Sequence, residues 1–341
     1  MKMTLSHRYL KANLGILDSL GYPKAKALEG LGIDETLLDE SRDRMSLDRF
    51  VACINAAAEY TSNPNIALLL GDKFRVGNFG ETGSLYSYCK SLGDIVRLNN
   101  RYQKLAIDAG TAKLVRGQSG RYKMVFEPYY EDTEKYRPVT DLLMASYMTT
   151  YSWLIWGSGE SILSTHLSYP RPDDVSAHKE IFKSELIFGS GETFMEFSES
   201  MVSQIIATHS PEKLARVTMK LDKMLGLQME AHAFEEAIAA AIRGALSSGQ
   251  ISTQVVAERM GMSWSTLRLR LQDSGQGFRP RLDRIRKAIF LEEYQAGKSF
   301  SQISMSLAYN DQPAMNRAFK RWFGTTPSKW RKTQVGKDQS E

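Results

Sequence analysis

The side chains best suited to chemistry in this chain are cations set at helical spacing near its C-terminus. Arg268 and Arg270 stand in Trp264-Ser265-Thr266-Leu267-Arg268-Leu269-Arg270-Leu271, and Asn316, Arg317, Lys320 and Arg321 follow Gln312 and Met315. An arginine can grip a guanine edge with two hydrogen bonds, Asn and Gln do the same for adenine, and any cation can neutralise a phosphate. That chemistry is recognition of a nucleic acid, and it needs a helix that turns these groups outward. Leu267 with Leu271, and Met315 with Phe319, supply an inward face at i, i+4 for two such helices.

The elements that must position them are legible upstream. Val255, Val256 and Met260 mark one short helix, and Ile303 and Leu307 mark another. Each is followed by a tight turn, Gly261-Met262 or Ala308-Tyr309, and then by a residue that can cap a new helix, Ser263 or Asn310. Helix, tight turn and basic second helix make a helix-turn-helix, whose second helix enters the DNA major groove. One such hairpin is common on protein surfaces. Two, about 47 residues apart and joined by a basic helix over 278–294, are far more specific. That joining helix carries Arg279, Arg281, Arg284, Arg286 and Lys287, with Leu282, Ile285 and Ile289 facing inward. Residues near the start of a second helix reach deepest into the groove. The expected base readers are therefore Trp264, Ser265 and Arg268 in the first unit and Gln312, Asn316 and Arg317 in the second. Arg270, Lys320, Arg321 and Lys329 are expected on phosphates.

Charge is distributed accordingly. The 341 residues carry a net +5, but from residue 231 onward there are 17 Lys and Arg against 10 Asp and Glu, whereas the remainder has 27 against 29. A basic C-terminal third on a near-neutral body fits a polyanion-binding module joined to something else. No apolar run is long enough for a transmembrane helix and the first residues lack the apolar core of a secretory signal, so a cytoplasmic protein is expected. Cys53 and Cys89 have no metal-ligand spacing, and they fit a reducing compartment. No cofactor or metal is expected.

The first 205 residues read as an α+β domain. Helices are expected through residues 5–60, with a Leu10, Leu14, Leu17, Leu20 stripe and Ser46 as a cap, then over 66–74, 84–91 and 95–107. Gly77 to Gly83 reads as a loop, since it lacks both the Walker and the Rossmann glycine spacing. Residues 111–116 and 122–128 alternate as a hairpin, 136–156 form a long helix, and 162–169, 185–189 and 193–197 read as strands. Residues 206–230 read as an interdomain connection, 231–333 as an all-α domain containing an Ala-rich helix over 234–246 and both helix-turn-helix units, and 334–341 as a disordered tail.

The C-terminal units resemble the AraC/XylS family of bacterial transcription regulators. The residues that carry the resemblance are Val256-Ala257, Gly261-Met262-Ser263 and Leu267, then Ile303, Arg317-Ala318-Phe319-Lys320-Arg321-Trp322, Gly324, Pro327 and Arg331. The N-terminal half resembles the effector-binding and dimerisation domain of the branch that includes ornithine-responsive regulators, through Gly32-Ile33-Asp34, Asn63-Pro64, Gly83, Pro170, Leu186-Ile187-Phe188 and Phe194. The resemblance implies a DNA-binding activator controlled by a small molecule, a homodimer, and RNA polymerase as a partner. Departures from the family pattern are Leu269 where the family has Arg, Ser304 for Ala, Ala308-Tyr309 for Gly-Phe, and Met315 for an aromatic residue. Ala308 carries a backbone penalty if its turn needs positive φ.

The effector site is expected among Tyr86, Tyr102, Tyr147, Trp153 and Trp156, with Arg171 placed to meet a carboxylate. Two other readings are weighed. A nonspecific nucleoid protein would not need paired recognition helices and a large second domain. A DNA-repair enzyme of alkyl-transfer type would need a reactive cysteine with partners, and His7, His166, His178, His209 and His232 form no motif with Cys53 or Cys89. No enzyme activity is expected.

Overall fold

Two compact units make up the chain, Met1–Gly226 and Leu227–Glu341. The computed structural model describes residues 3–36, 38, 44–117, 120–154, 162–274, 276–309, 311–327 and 329–330. The expected tail over 334–341 lies outside the described residues.

In the first unit, α1 (His7–Ser19) starts where Ser6 Oγ accepts the Tyr9 amide at 3.2 Å, and it buries Leu10, Leu14 and Leu17. α2 (Lys24–Leu31) follows, stopped by Gly32 at φ +59°. Residues 5–60 are not wholly helical as expected. Thr4–Ser6 (β1) and Arg44–Ser46 (β2) are strands that join Ile107–Asp108 (β3) in an antiparallel sheet of order β2-β1-β3. Each is too short to show an alternating period in sequence, and β1 finds its partners about 40 and 100 residues away. Ser46 does precede a helix, α3 (Leu47–Thr61), but its side chain makes no cap bond.

α4 (Ile66–Lys73) then packs on the long helix α7 (Arg137–Leu154). Gly71 permits that approach: a Cβ there would press on the Leu142 carbonyl oxygen and sit 2.8 Å from Ala145 Cβ. The glycine-rich stretch is not simply a loop. A 3-10 turn over Val76–Phe79 ends at Gly80 (φ +59°), and α5 (Glu81–Tyr88) takes Thr82 and Gly83 into its first turn. An acidic residue at the start of α5 complements the helix dipole, which offsets the low propensity of Gly83. α6 (Leu92–Tyr102) is capped by Ser91 and stops five residues short of the expected end, because Ile107 belongs to β3.

The main sheet has five strands: β4 (Gly110–Arg116), β5 (Arg121–Pro128), β6 (Ser164–Leu167), β7 (Glu185–Phe188) and β8 (Thr193–Ser198). Their order is β4-β5-β8-β6-β7, antiparallel except for the parallel pair β6–β7. Two short helices, α8 (Ser176–Phe182) and α9 (Glu199–Ser203), complete this α+β unit.

α10 (Pro211–Ser247) is one helix where a connection and a separate helix were expected. After Pro211 it has no proline, and its two glycines, Gly226 and Gly244, cost only about 1 kcal/mol each within a helix. Leu214, Val217, Leu221, Met224 and Leu225 pack with the core of the first unit. Ile238, Ala241, Ile242, Ala245 and Leu246 are buried in the second.

Among its described residues the second unit is all helical: α11 (Thr253–Arg259), α12 (Trp264–Asp273), α13 (Phe278–Gln295), α14 (Phe300–Ser306) and α15 (Gln312–Phe323) follow α10. It has two small cores. One gathers Val256, Ala257, Leu267, Leu271 and Ile285 with the end of α10; the other gathers Phe290, Phe300, Ile303, Leu307, Met315 and Phe319. α13 belongs to both, with Ile285 in the first, Phe290 in the second, and Ile289 touching each.

Candidate nucleic-acid interface

The two helical hairpins are built alike. In the first, Ser252 caps α11, the chain turns through Gly261 at φ +66°, and Ser263 Oγ accepts the Thr266 amide at 3.2 Å to start α12. In the second, Ser299 and Gln302 form a capping box on α14, and the chain turns through Ala308 at φ +50°. The expected cap Asn310 lies outside the described residues. Asp311 caps α15, its Oδ1 accepting the Ala314 amide at 2.6 Å, with Pro313 in the first turn. Aspartate both accepts an amide and places negative charge on the helix N-terminus, so it serves as the cap here. The positive φ at Ala308 incurs roughly 1–2 kcal/mol that glycine would avoid.

Both second helices bury one face and expose the other. Leu267 and Leu271 are buried on α12, and Met315, Ala318 and Phe319 on α15. Among the expected base readers, Trp264 is 49% exposed, and Ser265, Arg268, Gln312, Asn316 and Arg317 are all exposed. The Arg268 guanidinium lies over the Trp264 ring at 5.4 Å from its centroid. Ser265 Oγ is 2.9 Å from Ser263 Oγ. Leu269, which was not among the candidates, is 59% exposed on the same outer face of α12.

The expected phosphate contacts are less uniform. Lys320 and Lys329 are exposed. Arg270 lies over the Phe234 ring at 5.7 Å, and Arg321 is paired to Asp283 at 2.7 Å, so each already has a partner within the protein.

The joining helix α13 is basic in sequence but not wholly in its surface. Arg281 is 1% exposed, hydrogen-bonded to Glu235 through Nε at 3.2 Å, to Ser274 Oγ at 2.9 Å and to the Gln276 carbonyl. It ties the C-terminal end of α12 to α10. Arg286, also buried, donates to the Leu307 and Ala308 carbonyls at 3.0 and 3.1 Å and stacks on Tyr309 at 4.1 Å, which fixes the second turn. Lys287 donates to the Trp322 carbonyl at 2.8 Å. Arg279 and Arg284 remain exposed.

In the first unit a cavity of about 30 Å³ lies between α5, α6 and α7, where Tyr86, Asn99, Gln103, Tyr147 and Tyr151 meet Ile95, Ile107 and Leu143. The Tyr86 hydroxyl donates to Asn99 Oδ1, and Asn99 Nδ2 donates to Gln103 Oε1 at 3.0 Å. Burial pushes the Tyr147 hydroxyl up to about 12 and also raises Tyr86 and Tyr151 well above the usual tyrosine range, so these phenols stay neutral. Of the five described residues expected to form the effector site, only Tyr86 and Tyr147 line this cavity. Tyr102 turns away and its hydroxyl donates to Asp222 at 2.7 Å. Trp153 is 55% exposed, because six residues past Tyr147 is about 120° around α7, away from the cavity. Arg171 is exposed and lies over Phe188 at 5.7 Å. Trp156 lies outside the described residues. Asn99 and Gln103 were missed; the available signal was Ile95-Asn99-Gln103 at i, i+4, i+8, which sets polar groups on an apolar face.

The repair-enzyme reading needs an accessible thiolate. Cys53 and Cys89 are buried, and burial pushes their thiols up to about 11 and about 12. Among the described residues no group of His, Cys, Asp and Glu could hold a metal ion, and no helix is long and apolar enough to cross a membrane.

Residues 21–205 match the arabinose-binding N-terminal domain of the AraC transcription regulator, and residues 256–333 match a helix-turn-helix domain. The chain is 22% identical over 328 residues to an uncharacterized HTH-type transcriptional regulator of Mycobacterium tuberculosis, covering 92% of each chain. It is 21% identical over 340 residues to the ornithine utilization regulator of Pseudomonas aeruginosa, covering 95% of each. The crystal structure of the transcriptional regulator CdpR from Pseudomonas aeruginosa aligns over 90% of this chain and 96% of that one, at 17% identity and a TM-score of 0.40. An α+β unit of the arabinose-binding type, followed by two serial helix-turn-helix hairpins with capped and exposed second helices, defines the assignment: the chain belongs to the AraC family of helix-turn-helix transcriptional regulators.

Proposed function

We propose that the protein is a cytoplasmic, homodimeric transcription activator that reads an operator with α12 and α15 of each chain and answers to an uncharged small molecule. The observation that carries the reading is the matched pair of exposed second helices, each starting at a side-chain cap after a positive-φ turn. Base contacts fall to Trp264, Ser265 and Arg268 in the first head and to Gln312, Asn316 and Arg317 in the second. Phosphate contacts fall to Lys320 and Lys329. Arg270 and Arg321 reach phosphate only by leaving Phe234 and Asp283. RNA polymerase is the partner through which such an activator acts. The homodimer is held by the first unit, since the second has both reading heads in one chain and needs no symmetry of its own.

The effector enters the cavity beside Tyr86, Asn99 and Tyr147. Among the described residues no charged side chain lines it, and burying an unpaired charge there is strongly unfavourable. Ornithine, for which one relative is named, is therefore the wrong chemistry for this site. A small molecule with an apolar body and a hydroxyl or carbonyl group fits the neutral tyrosines and amides. The cavity as it stands has room for a water or two, so a larger effector must displace side chains on entry.

The test is selection of duplexes from a randomised pool by the full-length protein, followed by binding to the selected and scrambled duplexes across a salt series. A selected consensus with two separate half-sites supports the reading. Equal affinity for both duplexes would make the protein a nonspecific DNA binder. For the effector, thermal shift against neutral and charged metabolites decides: a ligand at 100 times its Kd adds about 2.7 kcal/mol. Stabilisation by charged compounds alone would reject the cavity as the site.

A further inference from the structure

Leu269 and Arg317 are equivalent positions in the two heads. Each is six residues past its helix cap, Ser263 or Asp311. At about 100° per residue, the direction opposite the buried pair Leu267 and Leu271 falls on Leu269, and the direction opposite Met315, Ala318 and Phe319 falls within about 30° of Arg317. Where the second head presents a guanidinium at the centre of its outer face, the first presents an isobutyl group, 59% exposed. Trp264, 49% exposed with the Arg268 guanidinium over its ring at 5.4 Å, lies about 140° around the helix from Leu269. An aliphatic side chain therefore stands at the centre of the face where an arginine stands in the other head.

An aliphatic side chain has nothing to offer the donors and acceptors of a guanine or cytosine edge. It would only strip water from them, which is unfavourable. The one apolar feature of the major groove is the C5-methyl of thymine. We propose, resting on the reading of α12 and α15 as the DNA-contacting helices, that Leu269 selects a thymine by contact with its methyl group. The operator then has two chemically different halves: one fixed by a methyl under Leu269, the other by a guanine under Arg317. Exposure of Leu269 and its place among the groove-facing residues of α12 are thereby explained together.

The test uses the full-length protein and its selected duplex. Each thymine of that duplex is replaced in turn by deoxyuridine, which deletes the methyl and keeps every hydrogen-bonding group. At one thymine, in the half that does not depend on Arg317, the substitution should weaken binding about three- to tenfold. In Leu269→Ala the same substitution should have no effect. Leu269→Arg should move the preference at that base pair to guanine. Because Leu269 is on the surface, both variants keep the fold, and far-UV circular dichroism checks this. A loss on deoxyuridine that persists in Leu269→Ala overturns the proposal, as does a first half-site indifferent to deoxyuridine throughout. In either case an Arg317-dependent guanine in the other half would leave the helix assignment standing. Failure to select any sequence, with Arg317→Ala binding as well as wild type, would overturn the helix assignment itself and the role of Leu269 with it.

Discussion

Arg317 and Lys320 are both exposed on α15, three residues apart, yet their expected roles differ. A bidentate contact to a base carries sequence information, and a phosphate contact does not. Arg317→Ala should lose roughly 1–3 kcal/mol on the selected duplex and much less on scrambled DNA. Lys320→Ala should weaken both alike and reduce the salt slope by about one unit. Equal losses on both duplexes for Arg317→Ala would move that residue to the backbone. Residue chemistry also sets a pH response in the first unit. The Tyr169 hydroxyl donates to Asp141 and lies 3.1 Å from His178 Nε2, so Nε2 is the protonated nitrogen and buried Nδ1 is left without a partner. Burial pushes the Asp141 carboxyl up to about 6, with Arg137 and Tyr169 opposing. Burial pushes the His178 imidazole down to about 4, aided by Arg137 and opposed by Asp174. The raised carboxyl favours the folded state at low pH, a contribution lost as pH rises from about 4 to 6. The depressed imidazole favours it at high pH, a contribution lost as pH falls from about 6.5 to 4. The two oppose each other over one window. Asp141→Asn should therefore become acid-sensitive between pH 6.5 and 4, and His178→Asn should lose stability as pH rises from 4 to 6, each by about 2–3 kcal/mol. Urea midpoints at pH 4.5 and 6.5 measure this; slopes of the same sign in both variants would refute it.

At the scale of elements, the joining helix does more structural than electrostatic work. Arg281 and Arg286 are buried and hold one hairpin each, Arg281 through Glu235, Ser274 and Gln276, and Arg286 through the carbonyls of the second turn. Arg281 is buried, but Glu235 is half-buried and keeps Arg284 as a second partner, so loss of Arg281 removes hydrogen bonds without stranding a buried charge. Arg281→Met should destabilise the second unit by about 1.5–3 kcal/mol through its lost charged hydrogen bonds, and Glu235→Leu should cost less in that background than in the wild type. Chemical denaturation of the single and double variants gives the comparison, and strictly additive losses would count against the pairing. The second turn supplies a change in the other direction. Ala308→Gly removes a side chain from the left-handed region and should stabilise the second unit by about 1 kcal/mol. A lower denaturation midpoint would show that the Ala308 methyl, which touches the first core, outweighs the backbone strain.

For the whole molecule, each unit has its own core, so the second should stand alone. A fragment of residues 227–341 retains more than half of α10, including Ile238, Ile242 and Leu246, which complete the first hairpin's core. It should fold cooperatively and bind DNA, whereas residues 1–226 should not bind DNA. An unfolded fragment would mean that the second unit depends on the first. The dimer assignment predicts that residues 1–226 sediment as a dimer at tens of micromolar and the 227–341 fragment as a monomer. The reverse distribution would move the dimer contact to the second unit.

Much of the second unit was legible in the sequence because its signals are local. Apolar spacing at i, i+4, a cap at Ser263 and a glycine turn all act within a few residues, and the backbone answers them directly. The cap of α15 was misplaced by one residue because Asn310 and Asp311 both suit the position, and only the observed hydrogen bond to Ala314 distinguishes them. What the tertiary structure decided was which polar groups face inward. Helical periodicity places Arg281 and Arg284 on one side of α13, but it does not say that Glu235, 46 residues before Arg281, pairs with both while only Arg281 is buried. The cavity is the same case. Tyr86, Asn99 and Tyr147 come from three helices, and their convergence depends on packing that no local pattern encodes, whereas Trp153 and Arg171 have suitable chemistry and lie elsewhere. Sequence determines the period and capping of each helix through short-range sterics and hydrogen bonds. Direction in space depends on which apolar faces meet, and that is settled only when distant segments exclude water together.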